Sequence, residues 1–181
     1  MPRIPIIERA AMNADQARVY DAAERAKSPV GGPFTAYIRL PKLFEAAHGL
    51  RESLSHGPLS PRETQIVNLT VARHWSARYP WFAQARRSLT VGISQGVIDA
   101  INARQTPDLP DARERTCHAV ARELLADKGL SDATYAAAEK TMGLESLVAL
   151  VASTGSFSMT CMTANTFGIE PPADNPTPLK Q

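Results

Sequence analysis

Any chemistry in this chain must come from a few side chains, and His74 is the first of them. It follows Val67 and Val71 at helical spacing, so it points along an apolar face, where an imidazole can serve as general acid or base near neutral pH. The same placement suits a core histidine bonded to a carbonyl. His48, on the preceding helix, reads as a half-exposed residue. Gln65 and Gln84 are neutral amides that can orient a substrate carbonyl or carboxylate, or satisfy each other between two helices. Phe34, Tyr37, Tyr79 and Trp81 offer an aromatic wall, with hydroxyl donors on Tyr37 and Tyr79; plain core packing uses the same residue types. Arg39 can clamp a carboxylate through two parallel N–H bonds. Arg73, Arg78, Arg86 and Arg87 read mostly as a solvated face, with Arg73 the alternative clamp.

Thr154, Ser158, Cys161 and Asn165 recur at i, i+4, i+7 and i+11, one stripe of a helix. Small polar residues of this kind allow close helix packing, and Asn165 is the member assigned to a ligand. Glu63 reads as a helix cap. The histidines are scattered, with no H-x-x-x-H or E-x-x-H pattern, so no metal is expected, and no glycine-rich phosphate loop is present. Cys117 and Cys161 stand far apart in apolar helical settings and read as inert, reduced thiols.

The elements that must position these residues are helical. Asn13 caps a helix to about Lys27, which Ser28-Pro29-Val30-Gly31-Gly32-Pro33 breaks. A short helical turn over 34–40 and a longer helix from Pro41 follow, the latter ended by His56-Gly57-Pro58. Ser60-Pro61-Arg62-Glu63 is a strong start signal: a Ser cap, Pro in the first turn, Glu three residues on. That helix reaches about Trp75; another runs from Tyr79-Pro80-Trp81 to Val91, and a short one is capped by Ser94. After a polar linker, Asp111 and Ser131 cap two more. No alternating strand pattern occurs, and the fold class is all-α.

Length, 44% apolar and 21% charged residues fit one globular domain, expected over 1–170, with 171–181 a proline-rich arm, extended or disordered. A net charge of +2 gives no electrostatic reason to expect a nucleic acid or membrane surface as partner. The uncharged run 146–168 imitates a membrane span, yet its many Ser and Thr residues favour a helix buried in the protein or at a subunit contact. With no secretory pattern at the N-terminus, the expected location is cytoplasmic.

Pro61-Arg62-Glu63, Val71-Ala72-Arg73-His74-Trp75 and Tyr79-Pro80-Trp81-Phe82-Ala83-Gln84 resemble the signature region of the carboxymuconolactone decarboxylase superfamily, which includes the alkylhydroperoxidase-D-like proteins. Gly32-Pro33-Phe34-Thr35-Ala36-Tyr37, Gly92-Ile93-Ser94 and Met162-Thr163-Ala164-Asn165-Thr166-Phe167 resemble flanking parts of it. The resemblance implies a compact multi-helix bundle assembled as a homotrimer or hexamer. The redox branch of that superfamily works through a Glu, a Cys-x-x-Cys pair and a His. Laid along this chain, those positions fall on Gln65, on Ala77 and Pro80, and on Gln84, so this is a divergent member without the Cys-x-x-Cys. A dithiol mechanism needs a thiolate, and none stands there.

The resemblance therefore implies a cofactor-independent, non-redox lyase or isomerase of aromatic compound catabolism, acting on a small lactone or aromatic-derived carboxylic acid. In that reading Arg39 holds the carboxylate, His74 moves a proton, and Gln84 and Tyr79 position the reacting carbonyl, with Gln65, Phe34, Tyr37, Trp81 and Asn165 around the substrate. The alternatives are a catalytically silent small-molecule-binding or scaffold protein of the same fold, and an alkylhydroperoxidase or peroxiredoxin-type activity.

Overall fold

The computed structural model describes residues 3–180. Among them the chain is all-helical: a 3-10 turn, Arg9–Ala11, precedes α1 (Ala14–Arg25), α2 (Phe34–Tyr37), α3 (Pro41–Ser55), α4 (Pro61–His74), α5 (Arg78–Thr90), α6 (Gln95–Asn102), α7 (Ala112–Asp127), α8 (Asp132–Met142) and α9 (Leu144–Phe167). The expected cap residues start five of them. Asn13 and Ser60 form full capping boxes with Gln16 and Glu63, and Ser94, Asp111 and Ser131 each accept from a first-turn amide.

Helix α4 is the axis of the molecule. Ile66, Val67, Leu69, Val71 and Ala72 are wholly buried, and the helix packs against α5, α6, α7 and α9. Burying one such aliphatic side chain is worth about 1.5–3 kcal/mol, so this helix anchors the core. A smaller cluster of Val19, Ala23, Tyr37, Ile38, Phe44 and Ala47 joins α1, α2 and α3.

Two ion pairs lock the N-terminal turns of α4 and α7 together in a crossed arrangement. Arg62 Nε meets Glu114 at 2.5 Å, and Arg113 Nε meets Glu63 at 2.6 Å. Glu63 thus has a second role beside its cap.

Helix α9 is long and apolar enough, by length and composition, to cross a membrane. One face, with Leu147, Leu150, Cys161 and Ala164, is buried against its neighbours, while Leu144, Val148, Val151 and Met162 are exposed. The stripe hydroxyls are spent within the helix, Thr154 donating to Leu150 O and Ser158 to Thr154 O.

The C-terminal arm turns at 173–174, where Asn175 N donates to Pro172 O, and is docked on the helices. Trp81 Nε1 donates to Thr177 O at 3.0 Å, Asn102 Nδ2 to Pro178 O at 3.0 Å, and Lys180 N to Asn102 Oδ1 at 2.9 Å. Leu179 packs on the main core. A buried indole N–H needs an acceptor, and the arm supplies it.

Candidate functional site

A cleft of about 660 Å³ lies between the 29–33 segment, α2, α3, α4, α5 and α9. Helix α4 contributes Thr64, Gln65 and Asn68, which share one side of the helix. Gln65 is 3% exposed, and among the described residues its Oε1 has no hydrogen-bond partner. Asn68 Nδ2 donates to Gln84 Oε1 across to α5 at 3.5 Å, so Gln84 pairs with Asn68 and leaves Gln65 free for a donor from the cleft.

Phe34, Tyr37, Tyr79 and Phe82 form the aromatic wall. Phe34 packs edge-on to Tyr37 at 5.5 Å between centroids. Tyr37 Oη lies 3.0 Å from Thr163 Oγ1, whose own proton goes to Met159 O, so Tyr37 donates to Thr163 and its hydroxyl is committed. Tyr79 is half-buried with its ring against the Gly31–Gly32 backbone, and burial raises its phenol above the ordinary value.

Three arginines line the same cleft: Arg51 from α3, and Arg86 and Arg87 from α5. Arg86 stands over the Phe82 ring at 5.3 Å, a cation–π contact. Among the described residues none of the three forms an ion pair, and no carboxylate lines the cleft. Arg51 is exposed by total area, yet its charged end sits among the cleft walls. Desolvation first, and the Arg87 charge second, lower its pKa.

The structure brings Phe34, Tyr37, Gln65, Tyr79 and Gln84 to this cleft and puts the other expected site residues elsewhere. Arg39 donates to Thr35 O at 2.9 Å and Pro5 O at 2.6 Å, so backbone carbonyls occupy its fork. Trp81 is wholly buried behind the wall, facing the arm. Asn165 Nδ2 donates to Trp75 O at 2.7 Å and ties α9 to the end of α4. His74 lines a separate cavity of about 780 Å³, where partial desolvation and then Arg104 lower its pKa. It cannot share the cleft because nine residues of helix turn it about half a circle away from Gln65.

Of the positions aligned with the redox relay, Gln65, Pro80 and Gln84 face the one cleft, and Ala77 is buried at the head of α5. Both thiols lie outside it. Cys117 and Cys161 are wholly buried; burial pushes Cys117 up to about 12, with Glu63 adding to the shift, and raises Cys161 further still. His48 stacks on Phe34 and Phe44, and its ring nitrogens meet Phe44 O and Pro29 O at 2.8 and 2.9 Å.

Sequence reasoning missed Arg51, Asn68 and Phe82, and read Arg86 and Arg87, which line the cleft, as a solvated face. The signal for Arg51 was present: it continues the Phe44, Ala47, Leu54 stripe of α3, an unusual place for a charge unless it faces a cavity.

No family model matches the chain, and no curated protein matches it. Solved structures do. The chain is similar to the alkylhydroperoxidase AhpD core of an uncharacterized peroxidase-related protein from Ralstonia eutropha JMP134, with a TM-score of 0.77 at 20% identity over 98% of this chain and 97% of that one. It is also similar to an uncharacterized peroxidase-related protein from Silicibacter sp. TM1040, with a TM-score of 0.77 at 17% identity over 99% and 96% of the two chains. At such identities the likeness establishes the fold, which is all-α and of the alkylhydroperoxidase-D-like type.

Proposed function

We propose that this chain is a divergent, non-redox member of the carboxymuconolactone decarboxylase and alkylhydroperoxidase-D-like superfamily, acting without a cofactor as a lyase or isomerase on a small carboxylic acid or lactone. The observation that supports this reading most is the pair of cleft arginines, Arg51 and Arg87, left without a carboxylate beside an apolar wall. A partly desolvated Arg51 with a second cation of like sign beside it favours an anion between them.

In this reading Arg51 and Arg87 take the role first expected of Arg39 and hold the substrate carboxylate. Gln65 Oε1 accepts a substrate O–H, while Asn68 and Gln84 set the orientation of a carbonyl. Tyr79 replaces His74 as the proton donor, since a phenol is protonated at neutral pH and burial moves its pKa further upward. For a decarboxylation, the bond to the carboxylate carbon breaks and CO2 leaves. The electron pair moves onto a conjugated carbonyl oxygen, Tyr79 protonates the carbanionic carbon, and solvent restores the Tyr79 proton. The exposed apolar side of α9 supports self-assembly as a homotrimer or hexamer, read out by light scattering after size exclusion.

The test is calorimetry with small aromatic and unsaturated carboxylic acids and their lactones, on the wild type and on Arg51→Gln and Arg87→Gln. Binding that weakens about tenfold or more in each variant supports the cleft assignment. No carboxylate affinity in the wild type overturns it.

Among the described residues no histidine, carboxylate or lysine lines the cleft, which favours a second reading, a silent small-molecule-binding protein: binding without turnover of any bound acid selects it. A peroxidase has the least support, because neither sulfur faces the cleft.

A further inference from the structure

Behind α4, on the side opposite the cleft, a cavity of about 720 Å³ is lined by Arg73, Arg78, Arg104 and Lys180, with Ser76 and Asn175 between them and, among the described residues, no carboxylate side chain in its wall. Arg78 is neutralised by Glu170 at 2.9 Å. Arg73 is the informative residue. It is 7% exposed, and among the described residues it forms no ion pair.

Arg73 Nε donates to Asn102 O at 2.7 Å and Nη1 to Ser76 Oγ at 3.4 Å. Asn102 ends α6, so the negative end of that helix offsets part of the Arg73 charge. Among the described residues no carboxylate pairs with Arg104 or Lys180, and the Arg104 charge, after desolvation, lowers the pKa of Arg73. A buried guanidinium is ordinarily matched by an anion.

We infer that the cavity bounded by Arg73, Arg104 and Lys180 is a second anion site, built for a phosphate-type dianion and separate from the carboxylate cleft. The donor set decides the ligand class. The Arg104 fork, the remaining Nη2 of Arg73, the Lys180 ammonium and the Ser76 hydroxyl offer more donors than one carboxylate can accept, and a tetrahedral dianion with three free oxygens uses them. Asn102 is already spent on the docked arm through Pro178 O and Lys180 N, so it holds the wall without facing the ligand. His74 and Arg122 line the adjoining cavity, which shares Arg73 and Arg104 with this one.

The experiment is calorimetric titration of the full chain with inorganic phosphate and with pyrophosphate at two salt concentrations. The expected result is saturable binding, weaker at higher salt, and reduced about tenfold or more in Arg104→Gln. Arg104 is exposed, so this variant folds without leaving a hole, and Lys180→Gln gives an independent second variant. Arg51→Gln, in the other cleft, binds phosphate as the wild type does. The C2 proton of His74, identified through His74→Gln, shifts on phosphate addition. Absence of phosphate binding, full binding by Arg104→Gln, or loss of it in Arg51→Gln each overturns the proposal.

Discussion

The Tyr79 ring rests directly on the backbone of Gly32: a Cβ at that glycine would stand 2.2 Å from Tyr79 Cε1. Gly32 also has φ of +60°, where an L side chain is strained. Gly32→Ala is therefore expected to push the ring out of its position and destabilise the fold by roughly 1–3 kcal/mol. Carboxylate binding, measured by calorimetry, should fall with it. A variant with unchanged melting and unchanged binding would show that the contact positions nothing.

His118 is 6% exposed on α7, and burial first, then Arg122, lower its pKa to about 4 from an ordinary value of 6.5. Above pH 6.5 the ring is neutral in both folded and unfolded chains. As the pH falls from 6.5 toward 4, the unfolded chain takes up a proton that the folded one refuses, so stability drops, by roughly 3 kcal/mol across the window. Urea midpoints at pH 7 and pH 4.5 should diverge less in His118→Leu than in the wild type. Equal slopes would remove the assignment.

Glu63 joins the cap of α4 to Arg113 on α7. Replacing it by Ala leaves Arg113 facing only Met142 O, Ser146 and Pro58 O. Loss of about 1–3 kcal/mol is expected, since a cap and a half-buried pair are lost while Arg113, about a third exposed, keeps water and other acceptors. Glu63→Gln should cost less, because its amide oxygen still accepts from Ser60 N. A chemical denaturation series orders the two, and the reverse order would contradict the geometry.

Removing residues 175–181 takes away the acceptor of the Trp81 indole and its cover. A red-shifted emission is expected in a Trp75→Phe background, with a loss of about 1–2 kcal/mol. Unchanged emission would mean that the arm does not stay docked in solution.

Neither sulfur should react with iodoacetamide in the native protein at neutral pH, and both should react in urea, since a buried thiol holds its proton. One fast-reacting native thiol would return peroxide chemistry to consideration.

The helix starts were legible because they are local. Ser60, Pro61 and Glu63 act within one turn, and so do Asn13 with Gln16 and Asp111 with the two amides it caps. Part of the aromatic side of the cleft was also legible, since Phe34 and Tyr37 lie one helical turn apart in α2 and Tyr79 opens α5, whereas Trp81 turned inward to the core. The arginine was not. Arg39 and Arg51 carry the same group, but Arg39 follows a four-residue helix, where no periodicity sets a direction.

The sequence by itself determined the all-helical class, the helix caps, and the lack of a Cys-x-x-Cys, because each depends on residues close together along the chain. Only the tertiary structure decided that other helices cover most of α4. That packing gave its two sides different cavities, placing Gln65 with Arg51 in one and His74 with Arg104 in the other. That division depends on which distant helices cover which face, and helical periodicity sets only the angle between residues, not what stands opposite them.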